Sequence, residues 1–451
     1  MTPSCWASWA SVSNLDFARA QMGMSLAFHI IFAAAGIGMP VLMAIAEGAY
    51  LRWRNPVYLE LARRWARGTA ILFAVGAVSG TVLSFELGLL WPRFMQHAGA
   101  IIGMPFSLEG FAFFTEAIFL GLYLYGWKRL TPVVHWLAGV LVAVSGILSG
   151  LFVVMANGWM NTPTGFEFLD GKFTNIDPIA AMLNPSAFHE SLHMTLAALV
   201  ATGFAVGGIH AFFLLQDGAN PFHRAAFRIA AALGCAAIPL QVFSGDLSAR
   251  RVAQWQPAKL AAMEAHYHTQ RGVPLMVAGL PDSERMTNRF ALTVPNGLSL
   301  LLGGRADTEV PGLDRVPRDQ WPNVRLVHWS FDAMAACGGA LLGLALWAGW
   351  MSWRRKVLGR SKWLLRAFVA ATPLGFIAIE TGWMVTELGR QPWVIYGVMR
   401  TRDAVTPMPG LVVPFTLFTF VYLFLSVILV FLLKRQFLQT APKPEASSHA
   451  P

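Results

Sequence analysis

Six residues able to do chemistry lie inside long apolar runs: His29, Glu109, Glu116, His193, Met334 and Glu380. An ionisable side chain in hydrocarbon is costly, and by default it marks a functional site. Imidazole and thioether groups ligate transition metals, and carboxylates ligate harder ions or carry protons. At about 1.5 Å per residue from one membrane face, all but Glu116 fall in one layer. Glu116 lies deeper, seven residues beyond Glu109 and on the same helix face. Each alone has a plain reading: a histidine can simply bond a neighbouring helix, and a methionine usually fills a core. The shared layer points instead to a buried cofactor.

One competing motif is present. FHESLHM carries His189, Glu190 and His193 as H-E-x-x-H, the zinc-protease pattern of two histidines one turn apart with a general base between them. No third ligand follows at a recognised spacing. His189 is expected at the water interface, where it needs no metal, and the motif leaves His29 and the other acids unused.

The elements that must hold these residues are membrane helices. The chain has 451 residues, 55% hydrophobic and 13% charged, about half the roughly 25% charge of soluble domains. Spans need about 20 apolar residues. Nine runs qualify, from Met22–Ala46 to Val412–Leu433, the eighth being Ala367–Leu388. The fold class is therefore all-α and polytopic. Residues 16–247 form a six-helix bundle, 248–325 a folded or semi-ordered polar loop, 326–433 three further helices, and 434–451 a disordered tail. Three scattered cysteines give neither a disulfide framework nor a thiolate zinc site. The N-terminus lacks the basic and apolar regions of a signal peptide. Lys and Arg crowd one set of connections, including Arg52, Arg54, Arg63, Arg64 and the Arg354–Arg366 stretch. The positive-inside rule puts that side in the cytoplasm, with the N-terminus and the long loop outside and the C-terminus inside. A net charge of +10 then reflects basic loops rather than nucleic acid.

Two outer segments stand out. The loop carries Lys259 and Glu264 in QPAKLAAMEA, which taken alone would be an opposite-charge pair on an exposed helix, and Asp246 lies at its start. After the eighth span comes GRQPWVIYG. Gly389 and Pro392 read there as turn residues. Arg390, Gln391 and Trp393 need another reason.

At this string the chain resembles subunit I of the cytochrome bd-type quinol oxidases, including the cyanide-insensitive branch with a short quinol loop. The likeness runs from about Asp16 to Leu433. It is carried by IETGWMVTELGRQPW (Ile379 to Trp393), RAQMGMSLAFH (Arg19 to His29), LEGFAFFTE (Leu108 to Glu116), QPAKLAAMEA (Gln256 to Ala265) and WSFDAM (Trp329 to Met334). The resemblance implies a multi-pass protein of the bacterial cytoplasmic (inner) membrane with three haems near the outer face. His193 and Met334 look like the axial ligands of a low-spin haem b. His29 and Glu109 resemble ligands of a high-spin haem b and a haem d, or a further haem b in its place, with His29 at the oxygen-reactive one. Glu380 matches an acid beside that pair, and Glu116 one that relays protons from the cytoplasm. Lys259 and Glu264 match quinol-linked residues.

The implied activity is oxidation of ubiquinol or another quinol at the outer face and reduction of O2 to water, building potential without a pump. The implied partners are a second multi-span subunit, often a single-span peptide, and membrane lipid. Two departures bear on redox tuning. Asp332 stands where members usually carry an arginine that pairs with haem propionates, and Phe376 stands where some have tryptophan. Arg390 is expected to take over a propionate, with Gln391 and Trp393 packing on haem or loop. The alternatives are the zinc protease, a haem b electron-transfer subunit without oxidase activity, and a transporter using its buried acids.

Overall fold

The structure is a computed structural model and describes residues 13–169, 172–355 and 359–438. Cys5, Lys356 and the tail from 439 onward lie outside the described residues.

Among the described residues, nine helices are long and apolar enough to cross a membrane. They are α1 (Asn14–Trp53), α2 (Pro56–Leu90), α3 (Pro92–Tyr125), α4 (Pro132–Asn161), α6 (Ala187–Gln216), α7 (Pro221–Trp255), α10 (Val324–Arg355), the broken span α11–α12 (Lys362–Ala371 and Leu374–Arg390), and α14 (Val412–Leu438). Their starts are written locally. Ser13 and Asp16 close a capping box on α1. Asn55 and Asn220 cap α2 and α7, each followed by proline at the first helical position, where a missing N–H costs nothing. The eighth span differs from its expected single helix. It breaks at Thr372 and Pro373, because proline clashes with a continuing helix. Helix α7 also runs on to Trp255, past the expected start of the loop.

Helices α1 and α6 are the most buried spans, and α14 the least. Glycine sets the close approaches at the centre: a Cβ on Gly375 would lie 2.4 Å from Ala201 Cα, so α12 packs backbone to backbone on α6. Large apolar side chains remain exposed along α3 (Phe111, Phe114, Ile118) and α14 (Phe420, Phe424, Phe431).

Three pieces complete one end. The stretch between α4 and α6 holds the strands β1 (Glu167–Leu169) and β2 (Lys172–Thr174) and the short helix α5 (Pro178–Met182). The long loop is folded. It opens with α8 (Pro257–Met263) and holds the antiparallel hairpin β4 (Leu275–Asp282) and β5 (Thr287–Val294). It also holds α9 (Gly297–Gly303), and β3 (Gln270–Arg271) pairs with β6 (Glu309–Val310). Ala258, Ala262 and Met263 of α8 pack with Val324 and Val327 of α10 and Val385 of α12. That apolar seam fixes the loop to the bundle. After α12 come the hairpin β7 (Trp393–Ile395) and β8 (Met399–Arg400), then α13 (Thr401–Ala404).

Candidate haem and quinol site

His29 and His193 are seated in the same way. His29 Nδ1 lies 2.9 Å from Ser79 Oγ, and His193 Nδ1 lies 2.9 Å from Ser244 Oγ. Each serine hydroxyl already donates to a backbone carbonyl, Ser79 to Val75 and Ser244 to Gln241. A hydroxyl has one hydrogen, so with that hydrogen on the carbonyl each serine can accept from the ring, an arrangement that puts the ring proton on Nδ1, although at His193 the Gln241 amide nitrogen also lies 3.3 Å from Nδ1. Nε2 is then the lone-pair nitrogen, the arrangement a metal-ligating histidine needs. His29 Nε2 has no hydrogen-bond partner among the described residues, and Gln241 Nε2 donates to His193 Nε2 at 3.0 Å. The residue after each serine is glycine. A Cβ on Gly80 would lie 2.9 Å from His29 Cε1, and one on Gly245 3.6 Å from His193 Cε1.

Two more Ser-Gly pairs on α4 meet the acids of α3. Ser149 Oγ donates to Glu109 Oε1 at 3.3 Å, and Gly146 makes room for the carboxyl of Glu116. Both acids therefore point at α4, as their seven-residue spacing requires. Met334 of α10 rests its sulfur on α12, where a Cβ on Gly382 would be 3.0 Å from it. Glu380, two residues away, has a buried Oε1 with no partner. None of the four Ser-Gly pairs stood out in the sequence, where the dipeptide reads as a turn signal.

Beneath the loop lies a buried polar cluster. Asn161, the last residue of α4, donates to Glu190 Oε1 at 3.0 Å and accepts from Lys259 Nζ at 3.0 Å. Arg390 donates to Glu387 Oε2 at 2.6 Å and reaches Asn161 Oδ1 at 3.5 Å. Asn157 holds the other Glu387 oxygen at 2.7 Å. Two acids face two bases, with Arg390 Nε left buried and unpartnered.

Several expectations change here. Lys259 and Glu264 are buried rather than on an exposed helix, and they face different groups. Lys259 sits among Glu190, Glu387 and Arg390, and burial lowers its ammonium pKa although Glu190 opposes that. Burial pushes the Glu264 carboxyl up to about 8, and repulsion from Asp332 adds to it. Gly389 is not a turn residue. It is helical, and a Cβ there would lie 2.7 Å from Lys259 Cγ, so its bare backbone lets the lysine pass.

His189, in the first turn of α6, is buried rather than open to water and bonds Ser248 Oγ at 3.1 Å. His189 and His193 both face α7 while Glu190 turns to Asn161, so H-E-x-x-H is not a unit. Among the described residues no three His, Cys, Asp or Glu side chains gather as a zinc site requires. Gln391 accepts from Thr401 Oγ1 at 2.8 Å. Trp393 lies under the Arg400 guanidinium at 5.3 Å, and Arg400 bonds Asp319 of the loop. These contacts are with the hairpin and its neighbours. Asp332 lies 3.2 Å from His328 Nε2.

The family description "Cytochrome bd terminal oxidase subunit I" matches residues 17–441. The chain belongs to the cytochrome bd terminal oxidase subunit I family. It is 36% identical to the "Putative cytochrome bd menaquinol oxidase subunit I" of Bacillus subtilis, over 94% of this chain and 96% of that one. It is 33% identical to the "Cytochrome bd ubiquinol oxidase subunit 1" of the same organism, over 94% of each. The solved bd oxidase from Geobacillus thermodenitrificans superposes with a TM-score of 0.90 at 37% identity, covering 95% of this chain and 99% of that one.

Members of this family bind haem. The residues here fit that group: two histidines present Nε2 as a lone-pair nitrogen, a carboxylate and a guanidinium hold buried unpartnered atoms, and glycines clear the rings. Residues that the sequence reading passed over are Ser79, Ser244, Asn161 and Glu387, together with buried Glu47 and Glu86. Glu47 lies one position past the expected end of its span. Glu86 accepts from Gln21 and Ser25.

Proposed function

We propose that this subunit binds three haems and, with a second multi-span subunit, oxidises a quinol and reduces O2 to water. The observation that carries the reading is the pair of Ser-Gly seats that present His29 and His193 with Nε2 as the lone-pair nitrogen. His193 and Met334 would hold a low-spin haem b. His29 and Glu109 would hold a high-spin haem b and a haem d, or a further haem b, with Glu380 alongside. When bound, the haems supply electron transfer and oxygen activation.

The chain's own residues bind quinol and move protons. Lys259 and Glu264 meet the quinol at the inner face of the loop. Lys259, held by Asn161, orients a quinol oxygen, and Glu264 in its ionised form accepts a hydroxyl proton. Ubiquinol and menaquinol both suit this chemistry, and the relatives' names include both. Arg390 and Trp393 close the loop side over the haems, with the Arg390 Nε hydrogen available to a propionate. The basic end of the bundle faces the cytoplasm of a bacterial inner membrane and the loop faces outward. Quinol protons leave outward, and Glu116 delivers protons from the other side. The exposed faces of α3 and α14 contact lipid and partner subunits.

A reduced-minus-oxidised spectrum of the purified complex, with quinol-driven oxygen uptake, tests this. The expected result is one low-spin and two high-spin haems together with uptake. Low-spin haem alone would leave an electron-transfer subunit. No haem at all would leave a transporter.

A further inference from the structure

Near the basic end of the bundle, α1, α3 and α4 meet in a second polar layer. His135 is buried there between Glu47 and Tyr123. His135 Nε2 lies 2.9 Å from the Tyr123 carbonyl oxygen, which can only accept, so Nε2 carries a hydrogen. His135 Nδ1 lies 2.7 Å from Glu47 Oε1. A ring protonated at Nε2 alone and an ionised carboxylate would face each other lone pair to lone pair. One proton must therefore sit between Nδ1 and Oε1, on an imidazolium or on a carboxylic acid. Its passage from nitrogen to oxygen leaves the net charge of the pair unchanged.

The surroundings give that proton a way in and a way on. Trp127 lies tilted against the His135 ring, with centroids 4.0 Å apart, and the exposed Arg63 lies 5.1 Å over Trp127. The pair is thus one aromatic ring from solvent at the basic end. On its other side are two buried oxygens, Glu47 Oε2 and Tyr123 Oη, and the hydroxyl faces the carboxyl within reach of a proton. The Tyr123 ring lies against Gly139, one turn along α4 from His135 in the direction of Gly146.

Glu116 forms the next layer. A Cβ on Gly146 would be 3.3 Å from both Glu116 Oε1 and the Gly36 carbonyl oxygen. Pro40 of α1 has no N–H, so the Gly36 carbonyl lacks its helical donor and is a free acceptor beside Glu116. Gly36 to Glu47 and His135 to Gly146 are three turns each, about 16 Å, and Glu116 to Tyr123 is two turns, about 10 Å.

We propose that Glu47, His135 and Tyr123 form the proton-loading station that supplies Glu116. The proposal rests on the oxidase reading above and adds the entry half of its proton route. A proton moves from His135 Nδ1 to the Glu47 carboxylate. The carboxyl gives a proton to Tyr123 Oη as the hydroxyl releases its own to Glu116, a transfer that must open the apolar packing of Leu120 and Val142 between them. Solvent at the basic end then reprotonates His135 Nδ1 past Trp127. One proton enters, one reaches Glu116, and every group of the station returns to its starting state. The charged and titratable groups in play are Glu47 from α1, Tyr123 from α3, His135 from α4, and Arg63 of α2 across Trp127.

Two variants of the purified holo-complex test it. Glu47→Gln keeps both hydrogen bonds of His135, since the amide donates to Nδ1, but holds no mobile proton. Tyr123→Phe removes the hydroxyl that faces Glu47 and keeps the ring packed on Trp127 and His135. A structural role predicts that any loss of turnover comes with lost haem or a lower unfolding temperature. The station predicts wild-type haem spectra and thermal unfolding with quinol-driven oxygen uptake down about tenfold or more. It also predicts that Glu47→Gln loses a carboxyl band from the infrared difference spectrum on reduction. Uptake at the wild-type rate in either variant overturns the proposal. If Glu47→Gln does not assemble, Tyr123→Phe decides alone. Wild-type complex without quinol-driven uptake would instead overturn the oxidase reading.

Discussion

His189 and His193 are one turn apart on one helix, and both rings bond serines of α7. They differ in what surrounds the other nitrogen. His193 sits beside Gly245, which clears its ring, while burial around His189 is filled by Ser248 and the loop end of α7. His189→Ala is therefore expected to leave the haem spectrum intact, and His193→Ala to abolish the low-spin signal. Met334→Leu is expected to turn low-spin haem b high-spin and to stop quinol-driven reduction, as read by the reduced spectrum. Glu264 supplies a pH test. With its carboxyl held at about 8, only a small fraction is ionised at pH 7. Quinol oxidation is expected to rise as pH passes from 7 to 9, and Glu264→Gln to lose that rise. The sign for stability is opposite. The folded state binds this proton more tightly than the unfolded chain, so stability falls between about 4.5 and about 8. Glu264→Gln removes that slope, which thermal unfolding across the same pH range would show. Of these residues the sequence made the candidates conspicuous, because an ionisable group stands out in an apolar run. It did not make Glu190 legible. That residue looked like a protease base because pattern alone carries no direction, and the backbone turns it away from both histidines toward Asn161.

Helices were legible because length and hydropathy decide a membrane span, whatever the packing. Their ends were not. Glu47 and the last turns of α7 fell outside the expected bounds because helices continue into the interface, where hydropathy has already dropped. The Ser-Gly pairs went unnoticed for a related reason. In a soluble chain the dipeptide breaks a helix, whereas in a bundle the glycine admits a neighbour's ring and the serine fixes its tautomer. The gaps differ enough to test. A Cβ on Gly80 has 2.9 Å to His29, less than real contacts allow, and one on Gly245 has 3.6 Å to His193. Gly80→Ala is expected to lower high-spin haem content several-fold while Gly245→Ala keeps the low-spin haem, measured as haem per protein.

At the scale of the molecule, the proposed haem layer and the folded loop share one end, and the Glu47 station lies toward the other. Charge separation follows from that separation if quinol protons leave at the loop and oxygen's protons enter at the basic end. Complex sealed in vesicles with the loop outward, given quinol outside, is expected to build a potential negative within. Turnover with no potential would overturn the assigned sidedness. The basic connections made that sidedness readable as a proposal from the chain alone. The broken eighth span was less readable, since Pro373 in a long apolar run is tolerated in membranes as often as it interrupts.

Asn161 has a consequence for how such subunits can diverge or be recombined. The Asn161 side-chain amide bonds Glu190 of α6, Lys259 of α8 and Arg390 of α12, while the backbone carbonyl of Asn161 accepts from Gln256. The loop is therefore not a detachable cassette. A chimera that imported a relative's loop alone would set a foreign lysine against native acids cut for another geometry. The smallest exchangeable block is the loop together with the helix ends that carry Asn161, Glu190 and Glu387 to Arg390.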